Sequence, residues 1–125
     1  MPYLDAAELP TLYSAADLFI LPSLIEGFGF PIIEAMASGT PVMASAASSL
    51  PEIGADAARY FDPRDTDDFL RVLNEVLGSE ELREKMVRTG LQRARDFEWK
   101  QHAEDLIKLY TEFAGKVRLE NELND

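Results

Sequence analysis

At 125 residues with 46% apolar side chains, the chain is sized for one domain with its own core and too short for two ordinary ones. A net charge of −11 weighs against nucleic acid or an anionic membrane as partner; no run of about 18 apolar residues is present to span a bilayer, and MPYLDAAELP lacks the blocks of a signal peptide. Cysteine is absent, which excludes disulfides, thiolate metal sites and a cysteine nucleophile and fits a cytoplasmic protein.

In chain order, Asp5 with Glu8 forms a capping-box variant that predicts a short helix to about Ser14. The apolar run Asp17–Leu21, stopped by Pro22, predicts a buried parallel strand, and Ser23–Phe30 is then the loop at its carboxyl end. Open α/β sheets bind ligands at that end of their strands. Pro31 predicts a helix start, where a missing N–H costs nothing, and Gly39 predicts its left-handed stop. Pro41–Ser45 reads as a second strand, Ser48–Pro51 as a loop, and Ala58–Phe61 as a third, weaker strand.

Beyond Pro63 the pattern is helical. Phe69, Leu70, Leu73, Val76 and Leu77 recur at helical spacing from about Thr66 until Gly78. Ser79 is placed to cap a second helix carrying Leu82, Met86, Val87 and Leu91. A third, from about Trp99 to Ala114, sets Ala103, Leu106, Ile107 and Tyr110 on one face, and residues 115–125 read as a polar tail. The acidic run Asp62–Asp68 lacks the oxygen-ligand order of a calcium loop and reads as acids favourable at a helix start. His102 is the one histidine and has no second ligand near it, so no metal site is expected.

The segment EGFGFPIIEAMASGTPV, Glu26–Val42, carries the chemistry. Two glutamates eight residues apart flank a glycine-rich turn that runs into a helix. Such a turn frees backbone N–H groups, a helix start adds partial positive charge, and carboxylates accept from sugar hydroxyls. The spacing alone is ordinary in a chain with 13 glutamates, and two solvated carboxylates would be its plainer meaning. The order Gly27, Gly29, Pro31, Gly39, Pro41 between and after them is what sets it apart. With LYSAADLFILPS before it and SSLPEI after it, the chain resembles the C-terminal, donor-binding part of retaining GT-B glycosyltransferases of the family-4, group 1 type, over about Leu9 to Phe113.

That resemblance implies an α/β fold: part of a Rossmann-like domain, about three parallel strands plus C-terminal helices, over residues 1–114. It implies transfer of a sugar from a nucleotide-diphospho-sugar, with retention at the anomeric carbon, no obligatory metal and no cofactor. Glu26 matches the first motif glutamate, at the donor sugar near the reacting carbon, and stands as the catalytic candidate. Glu34 matches the second, on the ribose hydroxyls; its plainer alternative is a favourable charge near a helix N-terminus. Gly27, Phe28, Gly29 and Phe30 are the remaining donor-binding candidates, acting through their backbone, with Phe30 standing where leucine is common in the family. The two phenylalanines are expected as wall and core rather than as chemistry, and Ser23 as a turn residue.

One departure bears on activity. All twelve cations lie at or beyond Arg59, so residues 1–58 contain none. In the resembled family an Arg and a Lys upstream of the matching segment stabilise the departing diphosphate, and an N-terminal domain binds acceptor. Transfer by this chain alone is therefore not expected, and one sheet edge and the last helix are expected to expose apolar surface. Self-association, or a partner chain supplying the other half of a split enzyme, would cover them. A non-catalytic module that binds nucleotide sugar or serves assembly is the rival. A dinucleotide binder is more distant, because GxGxxG is absent.

Overall fold

The computed structural model describes residues 5, 7–98, 100 and 103–113. Its elements run α1 (Leu9–Ser14), β1 (Phe19–Leu21), α2 (Phe30–Ala37), β2 (Val42–Ser45), α3 (Leu50–Gly54) with a 3-10 turn at Ala55–Ala57, β3 (Ala58–Phe61), α4 (Thr66–Gly78) and α5 (Glu80–Arg95). The strands form one parallel sheet in the order β1-β2-β3. The α/β architecture with three parallel strands is thus the one expected from the sequence.

Alternation along the strands feeds two cores. Val42 and Ala44 of β2, with Ala58 of β3, meet Ile32, Ala35 and Met36 of α2 and Leu50 and Ile53 of α3 on one face. Met43 and Phe61 point to the other face, against Val72 and Val76 of α4 and Met86 of α5. Burial on both faces explains why β2 is apolar throughout until Ser45. Each Val, Leu, Ile, Phe or Met side chain among these that is fully removed from water contributes about 1.5–3 kcal/mol. α5 serves both faces: Met86 packs under α4, while Gly90 brings the helix onto Met36 of α2, where a Cβ would stand 3.2 Å from Met36 Cγ.

The structure corrects several details. Strand β1 is shorter than the apolar run, because Asp17 and Leu18 lie before the first ladder pair, Phe19 with Val42. Pro31 takes the second helical position, behind Phe30. The segment read as a loop to Pro51 turns into α3: Leu50 and Ile53 share one buried face at i, i+3, a repeat too brief to register as periodicity. Other expectations hold: residues 103–113 are helical, and the face carrying Leu106, Ile107 and Tyr110 is exposed, as anticipated for the last helix. Trp99, His102, Ala114 and the tail 115–125 lie outside the described residues.

The helix ends fall as the sequence predicts. The Asp65 carboxylate accepts from the backbone N–H of Asp67 and Asp68, and Ser79 Oγ accepts from Leu82 N–H. Asp68 accepts from the Asp62 N–H and pairs with Arg71, which together hold its carboxyl below the usual range. The acidic run is therefore a helix start. The start of α1 differs: Glu8 accepts from the Asp5 N–H and Asp5 from the Ala7 N–H, which closes a turn, but the helix begins only at Leu9 and its N-cap, Glu8, makes no side-chain capping bond.

Candidate functional site

Because β1 and β2 are adjacent and parallel, the loops that follow them leave the sheet side by side. The first carries Glu26–Gly29 and the second Ser48–Ser49. Gly29 ends the first loop as the N-cap of α2 at φ 111°, buried, where an added Cβ would lie 3.0 Å from Leu50 Cδ2. Both the backbone and the space require glycine there. Gly27 differs: nothing stands within 4 Å of its would-be Cβ and its φ is not left-handed, so the fold itself leaves that position open.

The second loop holds the first by hydroxyls. Ser48 Oγ donates to the Glu26 carbonyl at 2.8 Å. Ser49 Oγ lies 2.9 Å from the Phe28 carbonyl and 3.2 Å from that of Glu26, its one proton serving one acceptor at a time. Ser48 adopts φ 56°, uncommon for a residue with a side chain. Deeper down, Ser45 Oγ donates to the Ser23 carbonyl. The backbone of Glu26 is thereby fixed, while among the described residues no donor meets the carboxylate of this half-buried residue.

Phe28 and Phe30 do not enter the buried core. Their rings lie 4.8 Å apart, and Phe28 meets the edge of Phe97 at 6.0 Å, forming an aromatic wall on the surface. Arg93 stacks over Phe97 at 4.8 Å, but its donors are already engaged by the Ile53 and Glu52 carbonyls and by Asp96. The cation that reaches this wall is thus committed to holding α3 against α5.

Glu34 stands one turn into α2 and faces α1. Its Oε2 accepts from the Tyr13 hydroxyl at 3.1 Å. Partial burial, then the hydrogen bond and charge of Glu34, push the Tyr13 phenol up to about 12. The pair opens on a cleft of about 410 Å³ between α1 and α2, lined also by Leu9, Pro10, Ala37 and Ser38. Glu26 and residues 27–30 do not line this cleft. Of the two motif carboxylates, Glu34 therefore borders this cleft, while Glu26 stands in the loop that follows β1. Tyr13, Ser48 and Ser49 were not identified from the sequence as site residues, although each lies in a segment that carries the family resemblance.

Among the described residues no three His, Asp or Glu side chains cluster as a metal site, and no helix is long and apolar enough to cross a membrane.

Known proteins share the sequence pattern and the fold. The family model described as "Glycosyl transferases group 1" matches residues 1–93. The O-antigen chain mannosyltransferase B of Escherichia coli is 40% identical over 108 residues, 86% of this chain and 28% of that protein. The MMP alpha-(1->4)-mannosyltransferase of Mycolicibacterium hassiacum is 36% identical over 118 residues, covering 91% and 29% respectively. Among solved structures, sucrose-phosphate synthase from Thermosynechococcus elongatus superposes with a TM-score of 0.82 at 28% identity, over 93% of this chain and 30% of that one. The C-terminal domain of a group 1 glycosyl transferase from Francisella tularensis gives 0.67 at 30% identity, over 78% and 51%. The chain thus spans under a third of the length of these curated relatives. With three quarters of its length inside the family's pattern and its sheet superposing on the family's fold, the chain belongs to the group 1 glycosyl transferases.

Proposed function

We propose that this chain forms the donor-binding half of a retaining GT-B glycosyltransferase of the family-4 type, taking a nucleotide-diphospho-sugar. Glu34 accepts from the ribose diol of the nucleotide, and Glu26 contacts hydroxyls of the donor sugar near its anomeric carbon. The Gly27–Phe30 backbone approaches the sugar and diphosphate. Glu26 is not assigned as a general base: in the retaining reaction the departing phosphate helps deprotonate the acceptor on the same face. Metal and cofactor have no part in this reading.

The observation that carries it is the pairing of a fixed loop with an open carboxylate. The Glu26 backbone is held by Ser48 and Ser49 while its carboxylate has no protein donor. A carboxylate so placed, open to solvent and free of protein donors, suits a polyhydroxy ligand. Residues 1–58 contain no cation to stabilise a leaving diphosphate, and Arg93 is engaged elsewhere. We therefore place transfer in an assembly with further protein, through a second copy, a partner chain or another domain. The exposed apolar side chains of residues 103–113 favour such an assembly.

The test is isothermal titration of the folded chain with UDP-, GDP- and ADP-sugars, mannosyl donors first in view of the mannosyltransferase relatives, with Glu34→Ala as control. Saturable binding of one donor, lost in the variant, is expected. Absence of binding by a folded chain at millimolar donor would reject a self-sufficient donor half-site.

A further inference from the structure

We infer that Tyr13 is a positioning residue for nucleotide binding, fixing the Glu34 carboxylate so that its outer oxygen is presented to a ribose diol. This rests on the reading of Glu34 as the ribose contact.

The geometry has three parts. The Tyr13 hydroxyl donates to Glu34 Oε2 at 3.1 Å, across the gap between α1 and α2. The Tyr13 ring stands edge-on to Phe19 of β1, centroids 5.4 Å apart at 80°, which fixes its direction. Its own carbonyl accepts from Thr40 Oγ1 at 2.7 Å, and Thr40 is 2% exposed. A tyrosine anchored at ring and backbone is a rigid donor. Glu34, by contrast, is an exposed side chain with several rotatable bonds, which without a partner would sample many rotamers.

A carboxylate offers about four acceptor positions. Tyr13 occupies one on Oε2, which leaves Oε1 and the remaining lone pair of Oε2 toward the cleft. Two adjacent ligand hydroxyls match that remainder, whereas a 2′-deoxyribose supplies only one donor. Tyr13 thereby acts on affinity by removing rotamer freedom before binding, and on selectivity by directing the carboxylate at both hydroxyls at once.

The experiment is isothermal titration of the full chain with UDP, GDP and ADP and their 2′-deoxy counterparts. It compares wild type, Tyr13→Phe, Glu34→Gln and the double variant, each checked for folding by circular dichroism. Tyr13→Phe is expected to weaken ribonucleotide binding about fivefold, the scale of one hydrogen bond. It should also narrow the ratio between ribo- and deoxynucleotide, and add little once Glu34 is Gln. Binding unchanged in Tyr13→Phe but lost on altering Glu34 would overturn this inference and leave the ribose reading standing. Equal weakening in both Glu34 backgrounds, with the ribo/deoxy ratio preserved, would overturn it by assigning Tyr13 a purely structural role. Wild type without saturable binding, or binding untouched by Glu34 variants, would overturn the ribose reading and this inference together.

Discussion

The half of the molecule that carries the candidate site and the half made of α4 and α5 are held by different kinds of polar bond. In α4 and α5 the partners are close in sequence. Asp65 caps residues two and three ahead, Ser79 reaches Leu82, Arg71 pairs with Asp68, and Arg83 reaches back to the Val76 and Leu77 carbonyls. The site half has local bonds as well, such as Ser38 Oγ to the Glu34 carbonyl, but those that shape the site are distant: Tyr13 with Glu34, Thr40 with Tyr13, Ser45 with Ser23, Ser48 with Glu26, and Ser49 with Phe28, all 21 to 27 residues apart. The packing of α1 beside α2 explains the bonds of Tyr13, and the sheet register explains those of the serines. Leu21 pairs with Ala44, so anything just beyond β1 meets what lies about as far beyond β2. Local bonds build helices; the register builds the site. Arg93 joins the halves, reaching 40 and 41 residues back to Ile53 and Glu52.

This difference can be broken from either side. The largest expected effect is Gly29→Ala, which combines a left-handed φ with a contact at Leu50; we expect a loss of about 2 kcal/mol or more in urea unfolding, together with loss of donor binding. Next, Ser49→Ala removes the hydroxyl shared by the Glu26 and Phe28 carbonyls. It should cost about 1 kcal/mol and weaken donor binding out of proportion to its effect on stability. Asp65→Ala, the corresponding cut in the helical half, should also cost about 1 kcal/mol but leave donor binding unchanged. If Asp65→Ala impaired binding as much as Ser49→Ala, the two halves would not be separable.

The finest of these comparisons uses alkaline pH. Burial pushes both Tyr13 and Tyr60 up to about 12 from 10.0; Glu34 adds to the effect at Tyr13, and at Tyr60 Arg93 acts in the opposite sense. The folded chain therefore keeps protons that the unfolded chain releases. The associated stability is complete below pH 10 and is lost as pH rises toward 12. Melting temperature should fall across that window, less steeply in Tyr60→Phe, which removes one of the two groups.

What the sequence reveals follows the same division. The Ser79 cap, the helix start within the acidic run Asp62–Asp68, the apolar face of α4 and the three strands were legible because each depends on residues within a few positions of one another. Gly29 and Pro31 were legible because turn and helix start leave marks on composition. Tyr13 and the Ser48–Ser49 pair were not, because a hydroxyl signals nothing until the register brings its acceptor near. Helix α3 escaped for another reason: Leu50 and Ile53 make only one repeat. The bond from Tyr13 to Glu34 was equally hidden. The nine residues from Glu26 to Glu34 do not say that α2 sets its carboxylate against Tyr13 of α1.

The confinement of Lys and Arg to the region from Arg59 onward has a consequence for proteolysis. Trypsin cuts after these residues, so its first possible cleavage follows Arg59, itself on β3 and paired with Glu75 of α4. Limited digestion of the native chain will therefore report on α4, α5 and residues beyond them, while Tyr13, Glu26, Gly29, Glu34 and both clamping serines remain together in one peptide, Met1–Arg59. A photoreactive donor analogue that labels the site should thus place all its label on a single tryptic mass.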